Sequence, residues 1–244
     1  MPAFAAMTCV ALELQNAPKV EDCMKKKSRA SSPSATALRQ HVLESILTQA
    51  PFDGWTETTY ANALKQTGAT RTEVDKLFPN GLRDIVEFFG EQTDSAMLEC
   101  IDEEHGFERL RVRDKITFAV RARLEILTPH REAMRRLMIW YALPHHMPLG
   151  IRRITKITDL IWKAAGDTAT DYNFYTKRIL LAGVLKATTL FWLSDETSGN
   201  QATWDFLDRR IGDVMKLGKS ISLLKEFKPA EIVDLVRDKI RKVI

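Results

Sequence analysis

The stretch from Arg136 to Leu193 constrains this chain most. Its apolar residues recur at helical spacing, and it nowhere alternates as a strand does. A segment rich in Leu, Met, Ile, Trp and Tyr stops at Pro144. A second apolar-striped segment runs from about Leu149 to Ala165, and a Gly-Asp-Thr turn follows. The segment from Asp171 to Leu193 then carries a single positive charge, Lys186, in its apolar second half. Such a segment predicts the central helix of an all-α domain.

With 244 residues the chain is long enough for one well-filled core, or for a domain with a small module at each end. A net charge of +4 is too small to imply a nucleic-acid partner by itself. Cys9, Cys23 and Cys100 are widely spaced and odd in number, which predicts reduced thiols in a reducing compartment. The N-terminus lacks the basic flank and apolar run of an export signal. The most apolar run, Ile179 to Leu193, is shorter than the roughly 20 residues a bilayer requires. A cytoplasmic protein is expected.

Residues 1–35, with a basic cluster at Lys25–Lys27, have no face to bury and read as a disordered basic arm. Helical pattern begins near Thr36, and Pro51 is expected to stop it. Phe52 and Trp55 are expected to fold back onto the core. Thr56 can cap a helix ended by Gly68, a short helix runs to Leu77, and a long one resumes at Leu82. Three helices with short Gly-containing links give residues 36–90 a helix-turn-helix grammar. Within it the run Thr70–Phe78 mixes Arg71 and Lys76 with Glu73 and Asp75, which argues against base reading. Residues 91–217 are read as the helical core, with an exposed loop at Ser194–Thr203. From Gly218 a linker leads to a terminal amphipathic helix opened by Pro229. Ile232, Val233, Val236, Ile240, Val243 and Ile244 form its apolar face. Lysines around that helix suit docking on a membrane surface, while its mixed polar face suits packing on protein.

No enzyme constellation emerges. His145 and His146 are adjacent and cannot act as a helical ligand pair, and no HExxH or CxxC motif is present. Asp167 and Asp171 read as helix caps. The run Leu143–Pro148 brackets two histidines with prolines and predicts a rigid corner, whose His residues could bond the last carbonyls of the preceding helix. In Asp171–Arg178, the side chains of Tyr172, Phe174 and Tyr175 cannot all face one core. At least one aromatic ring beside Asn173, Lys177 and Arg178 is therefore expected to be exposed or covered by a partner.

The helix grammar of residues 36–90 resembles the N-terminal part of the TetR repressor family. The runs Leu143–Gly150, Asp159–Asp167, Thr170–Arg178 and Thr203–Met215 together resemble the C-terminal region of the ubiquinone-biosynthesis accessory family. A weaker likeness extends from about Ala37 to Gly218. That resemblance implies a TetR-like helical bundle that forms a homodimer and encloses an isoprenoid or phospholipid, with no other cofactor. It implies a non-catalytic role, presenting a polyprenyl quinone intermediate to a di-iron hydroxylase at the membrane surface. Mitochondrial members of the family have a targeting peptide, which this N-terminus does not resemble, so a bacterial protein peripherally bound to the inner membrane is expected. It places the hydroxylase patch on Ile161, Trp162, Asp171, Asn173, Phe174, Tyr175 and Arg178. Family members commonly have Met-Trp where this chain has Ile161-Trp162, and Asn-Trp-Tyr where it has Asn173-Phe174-Tyr175. Phe174 keeps an aromatic wedge without an indole N–H. Ile179, Val184, Leu185, Thr188 and Phe191 are the candidate cavity wall, although a solid core predicts the same composition. The alternative is a ligand-responsive regulator of the TetR type that binds DNA through Arg71–Lys76.

Overall fold

The computed structural model describes residues 33–167 and 172–226. The basic arm up to residue 32 and the terminal helix from Pro229 lie outside the described residues.

Helix α1 (Pro33–Asp53) buries Val42, Leu43, Ile46 and Ala50, one stripe at helical spacing. It does not stop at Pro51 as expected. Proline removes one N–H donor, but the Gly54 N–H closes the last turn on the Ala50 carbonyl at 3.0 Å. Trp55 folds back as predicted, and its indole N–H donates to the Ala133 carbonyl at 2.9 Å. Phe52 does not, and stands 80% exposed.

Helix α2 (Glu57–Thr67) is capped by the Thr56 hydroxyl, which accepts from the Thr59 N–H. Gly68, at a φ of 64°, ends it in the left-handed conformation that glycine adopts without strain. Helix α3 (Arg71–Leu77) begins with a reciprocal capping box between Thr70 and Glu73. Helix α4 (Leu82–Glu103) lays Leu82, Ile85, Val86 and Phe89 into the core. The charged link after it is not wholly superficial, because Phe107 in a short 3₁₀ turn is buried.

Helices α5 (Val112–Leu127), α6 (Arg131–Ala142), α7 (Met147–Ala164), α8 (Tyr172–Ser194) and α9 (Gln201–Glu226) complete the described bundle. Helix α1 packs on α2 and α6, α4 on α5 and α7, and α8 on α7 and α9. One hydrophobic core runs from Val42 on α1 to Ile211 on α9. The architecture is all-α, as the periodicity predicted.

Three expectations are corrected in this half of the chain. Helix α8 is not central, because Tyr175, Ile179 and Leu190 are exposed along one of its sides. The Ser194–Thr203 loop is not simply exposed. Asp195 and Thr203 are buried, and the Asp195 carboxylate accepts hydrogen bonds from the hydroxyls and backbone N–H groups of both Thr197 and Thr203. Helix α9 continues through Gly218 to Glu226 where a linker was expected. A single glycine costs a helix only about 1 kcal/mol, too little to end one alone.

Three helices are joined by a buried charge cluster. Asp94 on α4 accepts from Arg123 on α5 at 2.6 Å and lies 2.5 Å from Arg153 on α7. Arg153 also donates to the Gly90 carbonyl at 2.5 Å. A Cβ at position 90 would sit 2.6 Å from the Arg153 guanidinium carbon, so only glycine admits this approach. Burial pushes the Arg123 guanidinium down to about 10, against the pull of Asp94.

Candidate functional site

The corner between α7 and α8 is organised by Arg178, which is buried rather than presented at the surface. Its guanidinium donates to Asp159 on α7 at 2.8 and 3.0 Å and to Asp167 at 3.4 Å. It also lies over the Phe174 ring, 3.4 Å from the centroid. Asp167 takes a second partner, the Lys177 ammonium at 2.6 Å. This carboxylate is therefore a salt-bridge anchor. Burial pulls the Asp159 carboxyl upward, but hydrogen bonds from Lys163 and Arg178 prevail and hold it below its ordinary value.

The aromatic residues sort as the 100° helical step requires. Phe174 is half-buried and meets Tyr175 edge-on at 5.1 Å, while Tyr175 is 66% exposed. Ile179, one turn further, is 70% exposed. The expected patch is thus split. Ile161 is fully buried and Trp162 nearly so, with the Trp162 indole donating to the Lys177 carbonyl at 3.2 Å. Neither reaches the surface of this chain. Asp171 lies outside the described residues, as does the side chain of Asn173. Asp159, which fixes Arg178, escaped sequence reasoning because its partner lies 19 residues away on another helix. Asp159 also pairs with Lys163, four residues on along the same helix, at 2.8 Å.

Of the expected cavity wall, Val184, Leu185 and Thr188 face the interior. Phe191 is half-buried and stacks on Phe206 with centroids 4.6 Å apart. Ile179 faces outward and is no part of an interior wall. The Thr188 hydroxyl and the Trp192 indole N–H, one turn apart on α8, are both buried without a hydrogen-bond partner. Buried polar groups are seldom left so.

At the opposite corner, α6 ends at Ala142 and α7 begins at Met147, so the Pro-bracketed histidines form the predicted bend. The His146 ring does not bond a helix-end carbonyl. It stacks on Trp140 with centroids 3.5 Å apart, and its Nδ1 is buried without a partner. Burial first, then His145 and Arg83, hold the His146 imidazole below its usual range. A surface cleft of about 410 Å³ opens here, walled by Trp55, Leu82, Trp140 and Leu143. No helix among the described residues is long and apolar enough to cross a membrane.

By fold, this is a TetR-like helical protein. It resembles the solved TetR transcriptional regulator from Nitrosomonas europaea, with a TM-score of 0.61 and 18% identity, over 73% of this chain and 98% of that one. At that identity the likeness concerns the fold alone.

More narrowly, residues 147–218 match the model of the COQ9 family. It is 29% identical over 196 residues to the mitochondrial ubiquinone biosynthesis protein COQ9 of Drosophila melanogaster, covering 79% of this chain and 60% of the relative. The Xenopus tropicalis protein of that name is 30% identical over 194 residues, with 77% and 61% covered. The human one is 28% identical over 198, with 79% and 62% covered. The chain thus spans about three fifths of the length of these relatives. The matched segment contains α7, α8 and the Arg178 corner.

Proposed function

We propose that this chain is a non-catalytic accessory protein of ubiquinone biosynthesis, which holds a polyprenyl quinone intermediate or a phospholipid and presents it to a di-iron hydroxylase. The observation that carries this reading is the exposed Tyr175–Ile179 ridge inside the segment that matches COQ9. Exposed aromatic and aliphatic side chains on a rigid support are what interface hot spots are made of. The support here is Arg178, pinned by two carboxylates and one ring. Phe174 and Tyr175 would wedge into the partner, and Arg178 would set the angle of the wedge from beneath.

Lipid handling follows from the chemistry of the substrate. Each CH₂ withdrawn from a membrane into water costs about 0.8 kcal/mol, so a polyprenyl tail needs a protein shelter. The unpartnered Thr188 hydroxyl and Trp192 N–H supply donors on the buried side of α8, suited to the polar end of a sheltered molecule. Val184 and Leu185 would line its tail. Leu190 and, on α9, Met215 add exposed apolar surface for a second copy of the chain.

The regulator alternative is less well supported. Helix α3 turns its charges on one another, with Glu73 in the capping box and Asp75 facing Arg71 at 3.7 Å. Asp75 also accepts from the Tyr60 hydroxyl at 3.4 Å.

The deciding experiment is co-purification of the chain with the hydroxylase, before and after Tyr175→Lys. We expect the variant to lose the partner by at least about tenfold with unchanged circular dichroism, as removal of an interface aromatic does. Undiminished binding would refute the ridge. Organic extraction of the purified chain should release isoprenoid or phospholipid.

A further inference from the structure

The cleft between the helix-turn-helix-like part and the core lies away from the Tyr175 ridge, and its chemistry is distinct. Its apolar wall is largely aromatic, with Trp140 held flat against His146. On its rim stand Glu57 from the first turn of α2, Arg83 from the first turn of α4, and His145. Among the described residues, neither Glu57 nor Arg83 forms an ion pair or a side-chain hydrogen bond. A basic and an acidic side chain therefore face one cleft, each free of an ion pair. Asn80, also on the rim, already donates its side-chain amide to Asp84 at 3.1 Å.

We infer that this cleft binds a small zwitterion, one carrying an anionic phosphate or carboxylate together with an ammonium group. A guanidinium offers a planar fork of N–H donors that matches the oxygens of such an anion. His145 adds polar capacity on the same rim. An ammonium finds the Glu57 carboxylate. A ligand with only one charge would leave the opposite rim charge unmet. The volume of about 410 Å³ is that of a small-molecule site. Glu57, Asn80 and Arg83 come from the N-terminal helices and Trp140 and His146 from the core, so an occupant would tie the two together. The phosphoethanolamine group carries this pair of charges, whether in a free phosphodiester such as glycerophosphoethanolamine or as a lipid headgroup.

The test is calorimetric titration of the full chain with glycerophosphoethanolamine and, separately, with monomeric dihexanoyl phosphatidylethanolamine. Wild-type protein is expected to bind, with the Trp140 indole N–H resonance shifting on addition. Glu57→Gln and Arg83→Gln should each weaken binding by about tenfold or more, the usual cost of losing a charge-assisted bond. Both positions are exposed, so the variants should fold as wild type by circular dichroism. Comparable affinity for both probes identifies the free headgroup as sufficient. Much tighter binding of the lipid, still sensitive to both substitutions, identifies the membrane lipid as the source. Inorganic phosphate binding equally well with Glu57→Gln inert, lipid binding indifferent to both variants, or no binding of either probe would overturn the inference.

Discussion

Asp195 shows how much one side chain organises. Burial would raise its carboxyl, but hydrogen bonds from Thr197 and Thr203 outweigh that and hold it down at about 2. A folded value below the unfolded one, about 3.9, stabilises the protein above the unfolded pKa. That stabilisation is lost as pH falls through the folded pKa. Thermal melts of wild type and Asp195→Asn should therefore differ near neutral pH and converge between about pH 4 and 2. A difference that did not shrink with acid would show that ionisation of Asp195 is not what secures the α8–α9 junction. This role was hidden in the sequence, where Ser, Asp, Glu, Thr and Gly in a row read as exposed loop. Arg178 was misplaced for a related reason. Its neighbours in sequence announce a surface, and the two carboxylates that bury it come from outside its own helix. Tyr175 was legible, because three aromatic residues within four positions cannot share one face.

Among the elements, the α4–α5–α7 junction depends on one carboxylate serving two arginines. Removing one partner of a buried ion pair strands the others, at a cost of roughly 3–5 kcal/mol. Asp94→Asn is thus expected to lower unfolding free energy by about 3 kcal/mol or more, measured by urea denaturation. A loss under 1 kcal/mol would mean that Arg123 and Arg153 find other partners. The helices themselves were readable, since caps such as Thr56 and Gly68 and apolar residues at four-residue spacing act locally. Their surroundings were less so. Helix α8 is apolar enough to be read as surrounded by protein, yet Ile179 and Leu190 face outward, because composition does not reveal on which sides neighbours stand. Gly90 gave no signal either. Its requirement comes from an arginine 63 residues away.

At the scale of the molecule, the all-α class followed from periodicity, and the TetR-like plan from the resemblance of residues 36–90 and of the later motifs to known families. Whether the interior is hollow did not, because a packed core and a lipid shelter use the same residues. The end of the chain joins that question to the membrane. Ile232, Val233, Val236, Ile240, Val243 and Ile244 share one face of a predicted helix whose other face is charged, a pattern that lies in the headgroup boundary when it binds lipid. Helix α9 reaches Glu226, so a cut at Gly218 would truncate it, whereas removal of residues 227–244 spares it. The shortened chain, residues 1–226, should retain the melting temperature of the full chain while co-sedimenting several-fold less with anionic liposomes. Basic residues near the apolar face contribute about 1 kcal/mol each at such a surface, so the loss should be greatest at low salt. If sedimentation is unchanged and the melting temperature falls, the terminal segment packs on protein, and membrane attachment has to be sought on the exposed ridge of α8.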